Sequence, residues 1–256
     1  QFNRQMREVF RAPPAELRGR RRRAGRLAAD GGLTMRLPVE PPLSWDATAA
    51  FFAARAVPGV ESVSERVYRR TISLDGAPGV LEVHPGGADH LLLRAHLPYW
   101  ESLIHVVERA GRMVGADAAA DVRVPGAWGP FEAAVQAVVA RGCDDPAEAR
   151  RQLGRLVQRF GQPVPGLTHG LTHLFPSAGV LAAGDLTDLG MPPATAKSLA
   201  TLADGVARGQ IVLDHGVARA DLLAALTSVA GIEYGTARQI AARLGHREPT
   251  DTPTGY

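Results

Sequence analysis

Leu222-Leu223-Ala224-Ala225-Leu226-Thr227-Ser228-Val229-Ala230-Gly231-Ile232-Glu233-Tyr234-Gly235-Thr236-Ala237-Arg238-Gln239-Ile240 reads as a helix, a tight glycine hairpin and a second helix. Glycine lacks the Cβ that disfavours positive φ, so Gly231 can turn the chain. Ile232 can staple the two helices, and Gly235 opens the second one with backbone amides that have no partner inside the helix. Such amides bind phosphate without reading base sequence. A glycine turn of this kind also serves simply to connect two core helices, and the segment alone leaves both uses open.

Upstream of the hairpin, the chain from 125 onward reads as helices only, a small bundle without strands. Pro130 can open a helix through Phe131, Val135, Val138 and Val139. Asp144 or Asp145, followed by Pro146 and Glu148, signals another start, and that helix carries Leu153, Leu156, Val157 and Phe160 up to Gly161. Residues 193–208, 219–229 and 235–244 complete the set, the first closed by Gly209 and the last by Gly245.

Residues 36–122 mix element types. Ser44 or Asp46 can cap a helix through Phe51, Phe52 and Ala53 to Val57, ended by Pro58-Gly59. Segments with β character follow at 66–74, 79–83 and 91–97, separated by Asp75-Gly76 and by Pro85-Gly86-Gly87. Their short connections imply an antiparallel sheet. A helix over 98–114 is expected to turn Leu103, Ile104, Val107 and Met113 to one side. The fold class is therefore α+β, a small antiparallel sheet with helices followed by an all-α bundle.

Charge is concentrated at the amino terminus. Residues 1–26 hold nine arginines against Glu8 and Glu16, a net +7, whereas all 256 residues sum to +3, so the remainder stands at −4. Attraction to a polyanion therefore comes mainly from this arm. Within it Phe2, Met6, Val9 and Phe10 fall at helical spacing before Pro13-Pro14, a fragment too short to bury its own apolar stripe. No apolar run reaches 18 residues, which excludes a membrane-spanning helix, and the arm lacks an export signal's apolar core, so a cytoplasmic, nucleoid-associated location is expected. Cys143 is the one cysteine and forms no internal disulfide. His169 and His173 arise from a tandem Gly-Leu-Thr-His, and no acid completes a zinc set around them.

Two resemblances give these segments a context. Phe2, Asn3, Arg4, the stop at Pro14, Leu17 and Arg18 resemble the end of an AraC/Ada-type helix-turn-helix domain, although Arg11 stands where glycine is usual. A basic linker helix is the alternative reading. The hairpin resembles that of AlkA-like 3-methyladenine DNA glycosylases, members of the helix-hairpin-helix superfamily, which reads Leu-Pro-Gly-Ile-Gly and then tryptophan and Thr-Ala. Pro41-Pro42-Leu43-Ser44-Trp45-Asp46, the run Phe51 to Glu61, Val124-Pro125-Gly126-Ala127-Trp128-Gly129-Pro130-Phe131-Glu132, Gly170 to Pro176 and Asp188 to Pro192 agree with the same family in the same order. The resemblance implies four segments: the end of a regulator domain at 1–24, a linker at 25–40, an AlkA-like N-terminal α+β subdomain at 41–122, and a helix-hairpin-helix glycosylase domain at 123–256 that lacks the family's final helices. An Ada-AlkA-type fusion accounts for all four.

Such enzymes turn a damaged nucleotide out of the duplex, fill the gap with a wedge and stack the base on aromatics. A carboxylate then stabilises the sugar cation as the base departs. By this resemblance the chain is a glycosylase-like protein for base-excision repair of alkylated double-stranded DNA, monomeric and free of any organic cofactor. Gly231, Ile232, Gly235, Thr236 and Arg141 are the implied DNA-binding residues, and Phe51 is the implied base-pocket aromatic. The carbonyls of Thr227, Val229 and Ile232 match positions that hold a monovalent cation, Na+ or K+. The departures cluster at the chemistry. The family's catalytic aspartate falls on Tyr256, a neutral phenol at pH 7, with Asp251 the nearest carboxylate. The hairpin's second glycine is Glu233, its tryptophan is Gly235, a further pocket aromatic aligns with Gln239, and the wedge loop reads Ala140-Arg141-Gly142-Cys143. A non-catalytic DNA-binding regulator or lesion sensor is thus the alternative. In either case, deleting residues 1–26 is expected to weaken duplex binding and flatten its salt dependence, measured by titrating both forms over a salt series.

Overall fold

The computed structural model describes residues 32–99, 101–116 and 125–246. The chain divides into two compact units, one made of residues up to 123 together with 163–174, the other of 124–162 and 175 onward.

The first unit is built on a five-stranded antiparallel sheet in the order β1-β5-β4-β3-β2. Its strands are β1 (Leu33–Pro38), β2 (Glu61–Ser64), β3 (Val67–Leu74), β4 (Ala77–Pro85) and β5 (His90–His96). The Asp75-Gly76 turn joins β3 to β4 with both residues at positive φ, 48° and 83°, as a two-residue hairpin of right-handed twist demands. β2 and β3 are joined in the same way by Glu65 and Arg66, at φ 53° and 61°. That turn carries no glycine. It is held from outside by the Trp45 indole, which donates to the Arg66 carbonyl at 2.8 Å, and by an Asp46–Arg66 ion pair at 3.0 Å.

Two sequence expectations are corrected here. Residues 33–38, read as part of a linker, form the edge strand β1, which pairs with β5 and buries Met35 and Leu37. Residues 163–174, read as part of the bundle, belong to the first unit: Thr172 and His173 donate to the Gly59 carbonyl at 2.8 and 3.0 Å, and the Thr71 hydroxyl donates to the His173 carbonyl at 2.7 Å. The Gly-Leu-Thr-His repeat is the turn of this return loop, with His169 and Gly170 at φ 56° and 78°. Among the described residues no group of three or more His, Cys, Asp or Glu could hold a metal.

One sheet face is apolar, with Tyr68, Leu81, Val83, Leu91, Leu93 and Ala95 buried. Helix α1 (Trp45–Arg55), capped by the Ser44 hydroxyl, sets Phe52 against Tyr68 with ring centroids 4.4 Å apart. Helix α2 (Leu103–Val114) buries Leu103, Val106, Ala110 and Met113. Ile104, expected on that side, is 60% exposed, because the buried stripe runs through Val106 and Ala110. Between these apolar groups lies a buried polar knot. The Glu61 carboxylate accepts from the Val57 amide at 3.0 Å, the Tyr68 hydroxyl at 2.5 Å and Arg70, itself 2% exposed, at 3.3 Å.

The second unit is helical, with α3 (Pro130–Arg141), α4 (Pro146–Phe160), α5 (Ala178–Ala183), α6 (Pro193–Ala207), α7 (Arg219–Thr227) and α8 (Tyr234–Arg243). Pro130 opens α3, and Ala133, Ala134 and Ala137 give it a slim profile against α4, α6 and α8. Asp145 caps α4 through the Ala147 amide at 2.8 Å. Inside the unit, the Gln136 amide group donates to Glu132 at 3.2 Å and its oxygen accepts from Arg243 at 2.6 Å, so Gln136 links polar groups of α3 and α8. Among the described residues no helix is long and apolar enough to cross a membrane.

Removing one partner of a buried ion pair leaves the other's charge uncompensated, at a cost of about 3 kcal/mol or more. Glu61→Ala is therefore expected to lower the stability of the first unit by about that much, and Glu61→Gln, which keeps an acceptor, by less, as read by denaturant unfolding. Equal midpoints for wild type and Glu61→Ala would show that the knot carries no weight.

Candidate nucleic-acid interface

The hairpin expected from the sequence is present between α7 and α8. α7 closes at Thr227, whose hydroxyl donates back to the Leu223 carbonyl at 2.8 Å, and the Val229 amide continues the turn onto Leu226 at 3.1 Å. Gly231 stands at φ 88°, and the Ile232 amide donates to the Val229 carbonyl at 3.0 Å. Val229 and Ile232 are each 3% exposed, so the staple is filled on both sides of the turn. α6 clamps this turn: the Ser198 hydroxyl donates to the Ala230 carbonyl at 2.6 Å. A Cβ on Gly231 would lie 2.2 Å from that hydroxyl oxygen, so glycine is required twice, for its backbone angle and for the close approach.

α8 starts beyond the turn, with Glu233 at its N-cap in extended backbone. The Glu233 side chain makes no cap hydrogen bond; it reaches Arg141, the last residue of α3, at 3.3 Å. Gly235 is exposed, and a Cβ there would meet nothing within 4 Å, so the first turn of α8 is open on its side-chain side. Thr236 is buried and belongs to the packing of the helix rather than to that open face. Tyr234, beside Gly235, is 57% exposed. Of the residues expected to line a phosphate contact, Gly231, Gly235 and Arg141 are exposed, whereas Ile232 and Thr236 are buried in the packing of the hairpin.

The loop after α3 has its own explanation. A Cβ on Gly142 would sit 2.2 Å from the Thr195 hydroxyl oxygen, so the residue lets the end of α3 close on the start of α6. Cys143 follows, its thiol 3.4 Å from the Gln152 side-chain oxygen. Burial, then the negative field of Glu148, Asp144 and Asp145, push that thiol's pKa up, which keeps it protonated and unreactive at neutral pH.

Phe51 belongs to the other unit. It is half-buried on α1, edge-to-face with Phe52 at 6.0 Å and covered by the Arg55 guanidinium, 4.0 Å from the ring centroid. Asp251, Tyr256 and the arginine arm lie outside the described residues. Sequence reasoning missed Ser198 and the pairing of Arg141 with Glu233, because both are contacts between segments far apart in the chain and neither leaves a local signature.

Residues 34–128 match the AlkA N-terminal domain family. A probable bifunctional transcriptional activator/DNA repair enzyme AlkA of Mycobacterium tuberculosis is 32% identical over 95% of this chain and 53% of its own length. The chain thus spans about half the length of that relative. DNA-3-methyladenine glycosylase 2 of Escherichia coli is 28% identical over 85% of this chain and 83% of its own. Among solved structures, a 3-methyladenine DNA-glycosylase from Archaeoglobus fulgidus shares the fold with a TM-score of 0.69 at 18% identity, covering 82% of this chain and 79% of that one.

A side chain at Gly231 would meet both the φ penalty, about 1–2 kcal/mol, and the overlap with Ser198. Gly231→Ala is expected to lower the unfolding midpoint of the second unit. Adding Ser198→Ala should relieve the overlap but not the backbone strain, so the double variant recovers only part of the loss. An unshifted midpoint for Gly231→Ala would contradict this turn geometry.

Proposed function

We propose that this chain is an AlkA-like helix-hairpin-helix glycosylase that acts on alkylated bases of double-stranded DNA in base-excision repair. The observation that carries this reading is the hairpin itself: a left-handed turn at Gly231, clamped by α6, that presents the open start of α8 beside a cationic residue. Exposed amides at a helix start, with Arg141 next to them, hold a backbone phosphate in any sequence context. The names of the relatives supply the substrate class. The amino-terminal arm, read as the end of an AraC/Ada-type domain, adds long-range attraction, and the protein works as a monomer in the cytoplasm at the nucleoid. The carbonyls of Thr227, Val229 and Ile232 are proposed to hold Na+ or K+. Hard oxygen donors suit such an ion, and the Val229 carbonyl keeps a second lone pair beside the bond it accepts from Ile232.

Base release needs an anion beside the sugar cation, and in this reading Asp251 supplies it. Phe51 is proposed as an aromatic on which an extruded base stacks. The second reading, a binder that does not cut, is favoured by Glu233 in the hairpin and by Tyr256 in the family's aspartate position. Release of methylated purine from methylated duplex DNA separates the two. The wild-type chain is expected to release base, and Asp251→Asn to slow release by about 100-fold or more. Duplex binding without release would select the non-catalytic reading, and undiminished release by Asp251→Asn would remove Asp251 from the chemistry.

A further inference from the structure

The geometry points to the Arg141–Glu233 ion pair as an exchangeable contact: in the free protein Glu233 occupies the guanidinium of Arg141, and a DNA backbone phosphate displaces it on binding. This rests on the DNA-binding reading above and adds to it a competitor for the phosphate built into the interface itself.

Three observations carry it. The two side chains meet at 3.3 Å while remaining 62% and 70% exposed, so the pair stands at the surface and not in the core. An exposed pair of this kind is weak and readily opened. Second, Glu233 sits at the N-cap of α8 yet makes no cap hydrogen bond, so its carboxylate reaches Arg141 instead of the helix's own amides. Third, Glu233 is the N-cap of α8, two residues before the exposed Gly235, so the pair stands at the helix start where the phosphate is proposed to bind. A phosphate offers a guanidinium two parallel hydrogen bonds, as a carboxylate does, with the added attraction of the surrounding polyanion. Arg141 therefore changes partner, and Glu233 is left as a solvated negative charge beside DNA. The affinity of the hairpin is set by that exchange: the carboxylate lowers it by occupying Arg141 before binding and by repelling phosphate after it.

A double-mutant cycle on duplex affinity at low salt tests the exchange, using the full chain with Glu233→Gln, Arg141→Ala and the two combined. Both positions are surface sites, and unchanged thermal midpoints will verify the fold. Glu233→Gln is expected to tighten duplex binding by about three- to ten-fold, less as salt rises. In the Arg141→Ala background the same substitution should gain about two- to five-fold less, because no pair remains to be broken. Removing Arg141 from the Glu233→Gln protein should also flatten the salt dependence by about one phosphate contact. Equal gains from Glu233→Gln in both backgrounds would overturn the exchange while leaving duplex binding intact. If none of the four proteins bound duplex, the DNA-binding reading would fall together with it.

Discussion

The turn at Gly231 is the constraint from which the rest of the candidate interface follows. A helix that ends at Thr227 and another that starts at Tyr234 face each other only if the chain reverses within a few residues, and that reversal needs one residue at positive φ. The same residue must accept a neighbouring hydroxyl where its side chain would be. Both demands eliminate every residue type but glycine. Once the turn is closed, Val229 and Ile232 are buried, the Ala230 carbonyl reaches Ser198, and the opening of α8 is directed away from the core. The position of the α8 start is therefore a consequence of packing, independent of the exposed side chains around it.

This independence explains why the fold was easier to read than the site. Helix starts at Pro130 and Asp145, the Asp75-Gly76 hairpin and the glycine turn all rest on local rules, and the structure shows each of them. What escaped was non-local. β1 is short and follows an arginine-rich arm, and only its pairing with β5 makes Leu33–Pro38 a strand. The Glu65-Arg66 turn has no turn residues, because Trp45 and Asp46 hold it from another element. The return loop 163–174 carries glycine and proline like any connection, and its membership of the first unit lies in hydrogen bonds to Gly59 and Thr71. Of the expected site residues, the turn role of Gly231 was legible because its positive φ selects glycine, and that of Ile232 because the staple is apolar. The partner of Arg141 was not, since an ion pair across 92 positions has no sequence pattern.

The two units also differ in how they handle buried charge. In the first, Glu61 gathers Val57, Tyr68 and Arg70 around one carboxylate inside an apolar layer, an arrangement whose desolvation cost is offset by hydrogen bonds to both carboxylate oxygens. In the second, Gln136 stands between Glu132 and Arg243, so that a neutral amide mediates between a buried carboxylate and a part-buried guanidinium. Charge that is free to exchange partners is found at the surface, at Arg141 and Glu233.

That division has a functional sense. A buried pair that opened would cost several kcal/mol, too much for a contact that must form and break with each encounter, whereas an exposed pair costs about 1 kcal/mol or less to open. Nonspecific phosphate contacts are individually weak as well, and their sum rises or falls with the number of cations free to join. A carboxylate at Glu233 withholds one such cation from the interface until DNA arrives. The arginine arm can then provide most of the attraction, while the hairpin adds position rather than strength. On the proposed reading, a clamp of this modest strength would release an ordinary duplex site quickly, which a fully cationic hairpin would not.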